Sequence, residues 1–248
     1  MKVLALYSIK GGVGKTAGAV NLAYLAARNG FKTLVWDLDP QGASSFYFRI
    51  KPKVKGGGKN LIAGKRELDD VIKGTDFDNL DLLPADFSFR HFDLVLDDKK
   101  KPTQQLKKRL KSLEDDYDFV ILDCPPNISL LSEAVFVAAD AIVSPIIPTT
   151  LSLRTLEQLK KFIAENGLEG LPLLPFFSMV DRRKKMHTDT MQQLRDSHAD
   201  MLSTVIPYAS DIERMGLERM PLAAFTKKSP STLAYQALWE DVAARLQV

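Results

Sequence analysis

The sequence has little cysteine, no long apolar run and no large excess of charge. One cysteine in 248 residues excludes a disulfide framework and any iron–sulfur or cysteine-rich zinc site held by a single chain. No apolar run approaches the roughly 20 residues that a membrane-spanning helix needs. The N-terminus lacks a signal-peptide pattern. Lys and Arg number 34 against 31 Asp and Glu, and this net charge of +3 does not by itself indicate a nucleic-acid partner. We therefore expect a soluble, cytoplasmic protein.

Short apolar runs alternate with longer segments of helical period along the whole chain. The predicted strands are Val3–Ile9, Thr33–Leu38, Leu80–Leu83, Phe119–Leu122, Ala141–Ile147, Leu173–Ser178 and Ser203–Ile206. The predicted helices are 15–29, 66–73, 103–115, 128–139, 152–165, 187–198, 210–217 and 230–246. This alternation predicts an α/β fold, a mostly parallel twisted sheet of about seven or eight strands with helices on both faces. No repeat or linker divides the chain, so we expect a single domain over residues 1–248.

One segment departs from this alternation. Residues from Arg49 to Arg66 include seven cations, no acid and three consecutive glycines. This composition is typical of an exposed, mobile loop. Two interpretations stay open: the loop extends a basic face of the protein, or it is disordered.

A glycine-rich segment, Lys10–Thr16 (KGGVGKT), lies between the first predicted strand and the first predicted helix. Glycines allow the backbone N–H groups to wrap a phosphate chain, and the following helix adds the positive end of its dipole. Lys15 is predicted to neutralise the β- and γ-phosphates, and the Thr16 hydroxyl to ligate Mg²⁺. The ordinary P-loop begins with a glycine where this chain has Ile9, so we predict a variant loop opened by a second lysine, Lys10.

Two acidic segments follow later strands. Asp37 and Asp39 stand two residues apart at the end of the second strand, a spacing that predicts that both side chains face the phosphate site. The apolar strand from Phe119 ends at Asp123, the Walker B arrangement, in which the acid holds Mg²⁺, usually through a water. We expect the two strands to bring these acids to the phosphate loop.

Together these motifs resemble the ParA/MinD family of deviant Walker ATPases over nearly the whole chain. Lys10–Thr16 is similar to the family's signature-lysine P-loop, Asp37–Gly42 to its Walker A′ segment and Leu122–Pro126 to its Walker B segment. Phe177–Arg183 and Thr204–Pro207 are also similar to family segments. The resemblance implies the P-loop NTPase architecture, ATP and Mg²⁺ as ligands, and a homodimer that forms on ATP binding.

The resemblance also implies roles for individual residues. Lys10 is expected to act in trans on the partner's phosphates, Lys15 to act in cis and Asp39 to orient the attacking water. Thr16, Asp39 and Asp123 are the expected metal-site residues. The implied nucleotide contacts are Lys10, Gly11, Gly12, Val13, Gly14, Lys15, Thr16, Ala17, Met179 and Pro207. Ser178 stands where many relatives carry Asn or Thr, and Ala209 where they often carry Asn, which affects the base contacts and not the phosphate chemistry. Ala17 stands where a second Thr is usual, which removes one possible hydroxyl contact to the α-phosphate.

Three features distinguish among members of the family. The single cysteine argues against a metal cluster of the nitrogenase iron-protein type, which needs cysteines from each subunit. We interpret the apolar stripe of the last helix, around Leu238 and Trp239, as a packing face, so a MinD-type membrane anchor is not expected. The P-loop begins at residue 10, so an N-terminal helix-turn-helix extension for specific DNA reading is not expected.

The family member that fits these features is a small ParA-like ATPase. We expect it to be nucleoid-associated, to bind DNA without sequence preference, and to hydrolyse ATP slowly until a cargo adaptor protein stimulates it. The cargo is a plasmid, a chromosome region or a protein assembly. The candidate DNA contacts are Arg182, Arg183, Lys184, Lys185, Arg214, Arg219, Lys227 and Lys228. The alternatives are a MinD-like membrane-associated positioning ATPase, an ATP-dependent small-molecule synthetase of the same superfamily, and a module that binds ATP without turnover.

Overall fold

The computed structural model describes residues 1–248 and contains one eight-stranded sheet. The strands are β1 (Lys2–Leu6), β2 (Thr33–Asp37), β3 (Lys73–Gly74), β4 (Leu80–Leu83), β5 (Phe119–Asp123), β6 (Ala141–Ile146), β7 (Leu173–Val180) and β8 (Val205–Pro207). Their order in the sheet is β3-β4-β2-β5-β1-β6-β7-β8, and every neighbouring pair is parallel except the short edge pair β3–β4. The predicted α/β class and all seven predicted strands are confirmed, and β3 is an additional strand.

Eleven α-helices connect and cover these strands. They are α1 (Lys15–Arg28), α2 (Ala43–Tyr47), α3 (Gly57–Ile62), α4 (Phe92–Asp97), α5 (Gln105–Leu110), α6 (Leu130–Ala138), α7 (Thr150–Glu165), α8 (Lys185–Ser197), α9 (Ser210–Glu218), α10 (Leu222–Phe225) and α11 (Pro230–Leu246). Short 3₁₀ helices span Phe87–His91, Pro102–Gln104 and Lys111–Leu113. None of the helices combines the length and the apolar character needed to cross a membrane.

A buried apolar layer lies on each face of the sheet. On one face, Val3 and Ala5 of β1 belong to a core that includes side chains of α4, α5, α6 and α7. On the other face, Leu4 and Leu6 belong to a core with α1, α9 and α11. Burial on both faces explains why the strands lack polar alternation. Trp239 of α11 lies inside the second core and is 3% exposed, so the apolar stripe of the last helix is a packing face, as predicted.

Two helix predictions need correction. Residues 66–73 do not form a helix: the N–H groups of Val71 and Ile72 both donate to the carbonyl of Leu68, and this single turn leads directly into β3. The predicted helix 103–115 is divided, with α5 in the middle and a 3₁₀ turn at each end. Both segments have apolar residues at helical spacing, but one buried turn is enough to produce that pattern.

The prediction that the basic segment 49–66 is a mobile or disordered loop is also wrong. It contains α3, and Leu61 and Ile62 of that helix are buried in the core beside α4. Val54 is 3% exposed, and its N–H donates to Asp86 Oδ2 at 2.8 Å. Composition missed this because three apolar residues among seven cations are enough to anchor the segment.

Candidate nucleotide site

The loop between β1 and α1 lies at the carboxyl edge of the parallel sheet, where ligands bind in open α/β folds. Gly12 and Gly14 both adopt left-handed backbone conformations, with φ of 69° and 97°. A Cβ at Gly14 would also lie 2.9 Å from Ser178 Oγ. Glycine at position 14 therefore accommodates both the left-handed backbone and the nearby Ser178 hydroxyl. It also leaves the N-terminus of α1 open toward the loop.

Lys15 begins α1 and its side chain is nearly buried, with 7% exposed. Its Nζ donates a hydrogen bond to the Lys10 carbonyl oxygen at 3.1 Å. Burial lowers the pKa of Lys15, and the carboxylates of Asp123 and Asp39 act in the opposite direction. The ammonium group is thus already held across the loop in which a phosphate chain would lie.

Lys10 behaves differently from Lys15. Its backbone N–H donates to Ser8 Oγ at 3.3 Å, while its ammonium group makes no hydrogen bond or ion pair within the chain. The residue lies beside Ser152 and Thr155 of α7 and does not line the cavity that contains Lys15. Its positive charge is therefore available outside its own phosphate site.

Asp37 and Asp123 end the neighbouring strands β2 and β5 directly opposite one another. Both are fully buried, and one oxygen of each carboxyl group, Oδ1, has no hydrogen-bond partner. Burial is the largest cause that raises the pKa of Asp123 to about 6, against the hydroxyls of Ser44 and Thr16, which lower it. Burial and the Asp123 charge likewise raise the pKa of Asp37. A cation beside these carboxylates would satisfy their unpartnered oxygens.

The prediction that Asp37 and Asp39 share one face of the site is wrong. Asp39 lines the cavity, whereas Asp37 lies beneath α2 and accepts from both the N–H and the hydroxyl of Ser45, each at 2.7 Å. The spacing fails because β2 ends at Asp37, so the two-residue period of a strand does not continue to position 39.

The protein has no cluster of three or more His, Cys, Asp or Glu side chains that would hold a metal alone. Thr16 lines the cavity, and Asp123 lies directly behind it beside Lys15. Mg²⁺ typically takes one or two protein ligands and completes its octahedron with phosphate oxygens and waters. The Thr16 hydroxyl and the unpartnered Asp123 oxygen fit that requirement, and Asp39 lies within reach of the same cavity.

A cavity of about 360 Å³ extends from the phosphate loop to the β8–α9 loop. Of the expected nucleotide contacts, it contains Gly11, Gly12, Gly14, Lys15, Thr16, Ala17, Met179 and Pro207, and it does not contain Lys10 or the buried Val13. Met179 has a left-handed backbone, with φ of 54°, which is rare for a residue with a side chain. The phosphate half and part of the base half thus come together as expected.

Sequence reasoning missed the rest of the base half. The same cavity is also lined by Tyr47 from α2, Tyr208 from the β8–α9 loop, Glu213 from α9 and Tyr235 from α11. Tyr208 is 56% exposed and donates to Glu213 Oε1 at 3.0 Å, which turns its ring toward α9. No local motif marks these residues, because they meet only after three distant helices pack on the sheet. The aromatic rings offer stacking surfaces for a base. Ala209, in the same cavity, has no side-chain amide to hydrogen-bond the base.

The site can be compared with known proteins. A family model described as an AAA domain matches residues 1–168. The chromosome-partitioning ATPase Soj of Treponema pallidum is 29% identical over 249 residues, which is 98% of each chain. The sporulation initiation inhibitor protein Soj of Bacillus subtilis is 28% identical, again over 98% of each chain. The chain belongs to the ParA/MinD family of P-loop ATPases.

Solved structures share the fold of this ParA-like chain. A plasmid partition protein of Borrelia burgdorferi B31 bound to AMPPNP has a TM-score of 0.85 and is 22% identical. The match covers 98% of this chain and 99% of that protein's chain. Cobyrinic acid a,c-diamide synthase of Mycobacterium smegmatis with bound ADP and magnesium has a TM-score of 0.82, is 25% identical, and covers 100% of this chain and 96% of its own. The MinD cell-division ATPase of Pyrococcus furiosus has a TM-score of 0.78 and is 24% identical, and the match covers 98% of this chain and 99% of that protein's chain.

The predicted DNA contacts of this ParA-like chain fall into two kinds. Some already have partners: Arg183 pairs with Asp181, Arg214 pairs with Glu218 at 2.9 Å, and Arg219 Nε donates to the carbonyl of Phe46 at 3.1 Å. The remaining cations are exposed and form no ion pair; these are Arg182, Lys184, Lys185, Lys227 and Lys228. The second kind is the better placed to meet an external phosphate backbone.

Proposed function

We propose that this protein is an ATPase that closes into a dimer around ATP, binds DNA without sequence preference and positions a cargo. The cargo is a plasmid, a chromosome region or a protein assembly, and an adaptor on it stimulates otherwise slow hydrolysis. The observation that supports this most is the contrast between the two loop lysines. Lys15 is buried in its own site, whereas the Lys10 ammonium has no partner in its own chain. A second lysine placed this way is available to the phosphates of a facing protomer.

The phosphate site supports hydrolysis by charge stabilisation rather than by strong base catalysis. Bound ATP with Mg²⁺ would supply the phosphoanhydride bond that is cleaved. The backbone N–H groups of the loop and Lys15 neutralise the charge that develops on the phosphoryl oxygens. Thr16 and Asp123 would hold the metal. Asp39 accepts from the Gln41 N–H through Oδ1 at 3.0 Å, and Oδ2 has no donor in the chain and is left to orient a water. The cavity contains one other carboxylate, Glu213, which accepts from Tyr208 on the side away from the phosphate loop, and this supports slow turnover.

The exposed, unpaired cations support DNA binding through phosphates. Lysine and arginine contacts to the backbone carry no sequence information, so binding of this kind ignores sequence and weakens with salt. One relative named Soj is a chromosome-partitioning ATPase, which supports a partitioning role for this chain. The burial of the α11 apolar stripe argues against a membrane track.

A mixture of two inactive variants tests the shared active site. Lys10→Ala lacks the lysine offered to the partner, and Asp39→Ala lacks the group that orients water. Each variant alone is expected to hydrolyse ATP very slowly. In a mixed dimer, one of the two sites combines an intact Asp39 with the partner's intact Lys10, so the mixture recovers about a quarter of wild-type turnover if protomers pair at random.

The same experiment addresses the second candidate function, a small-molecule synthetase. The similarity to the Mycobacterium smegmatis synthase, at 25% identity and a TM-score of 0.82, is the observation in its favour. A synthetase that works within one protomer does not need Lys10 in trans. Lys10→Ala would then stay near wild-type activity, and mixing would restore nothing. That result would overturn the dimeric switch.

A further inference from the structure

A strongly basic groove lies at the β3 edge of the sheet, away from the nucleotide cavity. This basic groove has a volume of about 780 Å³ and is lined by five cations: Lys51, Lys53, Lys55, Arg66 and Lys73. Its one acid is Asp70, 3.9 Å from Arg66. None of the four lysines forms an ion pair, and all four are exposed. The groove thus presents concentrated positive charge that the protein itself does not neutralise.

The backbone that carries these lysines is held in place. Gly57 N–H donates to the Val54 carbonyl at 2.9 Å, and Gly58 N–H donates to Ser88 Oγ at 2.8 Å. Buried Val54 lies between the exposed Lys53 and Lys55, so the chain is anchored where the lysines emerge. A fixed backbone limits the entropy lost on binding to that of the lysine side chains.

The basic groove also connects to other parts of the proposed switch. Arg49, two residues before Lys51, donates through Nη2 to the Glu218 carbonyl at 2.9 Å, next to the α9 cations. Pro52 packs against Gly42, where an added Cβ would lie 2.8 Å from the Pro52 Cβ. Gly42 is three residues after Asp39 and is the N-cap residue of α2. The groove is therefore linked through Arg49 to α9 and to the predicted DNA contacts there, the α9 cations Arg214 and Arg219. It also contacts, through Pro52, the segment that carries Asp39.

The lining of the basic groove points to a phosphate backbone. Apart from the cations and Asp70, it is made of Ile50, Val54, Gly56, Val71, Gly74 and Pro84. None of these side chains can stack on a base or hydrogen-bond its edge, so the lining between the cations offers no aromatic or amide group that would select a base. Lysine acts as a point charge toward phosphate and needs no fixed geometry. An acidic polypeptide would meet the same charges, and the link from the groove to the predicted DNA contacts of α9 favours DNA.

We propose that the basic groove is a second DNA-contact surface, which binds the phosphate backbone of duplex DNA beside the α9 cations. This inference rests on the proposed DNA-binding function. The test compares wild type with a groove variant, Lys51→Gln/Lys53→Gln/Lys55→Gln. The control variant, Lys107→Gln/Lys108→Gln/Lys111→Gln, removes three exposed, unpaired lysines from the α5 region and so changes net charge equally. Affinity for two unrelated duplexes is measured with ATP across a salt series, together with basal ATP turnover.

The groove variant is expected to bind both duplexes at least about tenfold more weakly at moderate salt, with a salt slope shallower by about 2 to 3, while the control binds as wild type. Basal turnover should not change in either variant. Equal binding by groove variant and wild type, or equal losses in both variants, would overturn the assignment. Binding of poly-glutamate is measured in parallel. If the groove variant keeps its DNA affinity but loses poly-glutamate binding, the ligand of the groove is an acidic polypeptide instead. If wild type itself binds no DNA in any nucleotide state, the proposed function fails and the groove assignment fails with it.

Discussion

At the residue scale, Gly14 meets two steric conditions at once. Its φ of 97° is costly for any L-residue, and a Cβ would lie 2.9 Å from Ser178 Oγ. We expect Gly14→Ala to lower the free energy of unfolding by about 1–2 kcal/mol or more. Gly216→Ala is the control, because Gly216 lies inside α9 with nothing within 4 Å of an added Cβ. Denaturant unfolding should show that control unchanged or up to about 1 kcal/mol more stable. Equal stability of the two variants would contradict the account.

In the proposed function, turnover depends on Asp39. We expect Asp39→Ala to bind ATP and dimerise but not to hydrolyse, because the loop, Lys15 and the metal site remain while the water-orienting oxygen is lost. Sedimentation with ATP and a phosphate-release assay measure the two properties. Asp98→Ala, which removes an exposed carboxylate, should behave as wild type. A monomeric Asp39→Ala protein at saturating ATP would contradict the assignment.

The buried pair Asp37 and Asp123 predicts an unusual pH dependence. Burial raises the pKa of Asp37 from 3.8 to about 8 and that of Asp123 to about 6. Because the folded chain holds these protons more tightly than the unfolded chain, the stability of the nucleotide-free protein falls as pH rises from about 4 to about 8. Asp37→Asn keeps an acceptor for the Ser45 N–H but removes one titrating group. Unfolding experiments without metal should show a flatter profile for this variant above about pH 6; parallel profiles would refute the prediction.

At the scale of elements, the loop from β7 to α8 contains two neighbouring arginines that differ in their partners. Arg183 contacts both oxygens of Asp181 at 2.9 Å and lowers the pKa of that carboxyl to about 2, whereas Arg182 is exposed without a partner. We expect Arg182→Ala to weaken ATP-dependent DNA binding without sequence bias and to reduce the salt slope by about 1. Arg183→Ala should have the smaller effect, because Asp181 already neutralises its charge. If neither variant changes DNA affinity, the loop is only a solvated surface.

The elements that sequence predicted well are those whose pattern is local. The seven long strands are apolar on both faces because helices cover both, and the P-loop is contiguous, so strand, loop and helix could be placed directly. The helices α2 and α3 were missed because each is short and is anchored by contacts distant in sequence, such as Ala85 N–H to Ser45 Oγ and Gly58 N–H to Ser88 Oγ. The base half of the cavity was missed for the same reason, since Tyr47 and Tyr235 meet only in the folded chain.

At the scale of the whole molecule, the central element of the proposed function is closure of two protomers around the phosphate loops. A Cβ at Gly11 would contact Pro126 at no less than 3.8 Å, so a larger side chain fits within one protomer. We therefore expect Gly11→Val to bind nucleotide but to stay monomeric, because the valine meets the facing protomer. Gly170→Val, at a glycine with open space, is the matched control and should still dimerise. Recovery of an ATP-dependent dimer from Gly11→Val in sedimentation would refute the prediction that Gly11 lies at the dimer interface.

The central claim has two parts: the nucleotide state controls whether the protein binds DNA, and the binding itself depends on charge and not on sequence. The most direct measurement is binding of the wild-type protein to two unrelated duplexes, with ATP, with ADP and without nucleotide, across a salt series. The account predicts binding only with ATP, equal for both sequences and falling steeply as salt rises. An ATP-dependent dimer that binds neither duplex in any nucleotide state would contradict it.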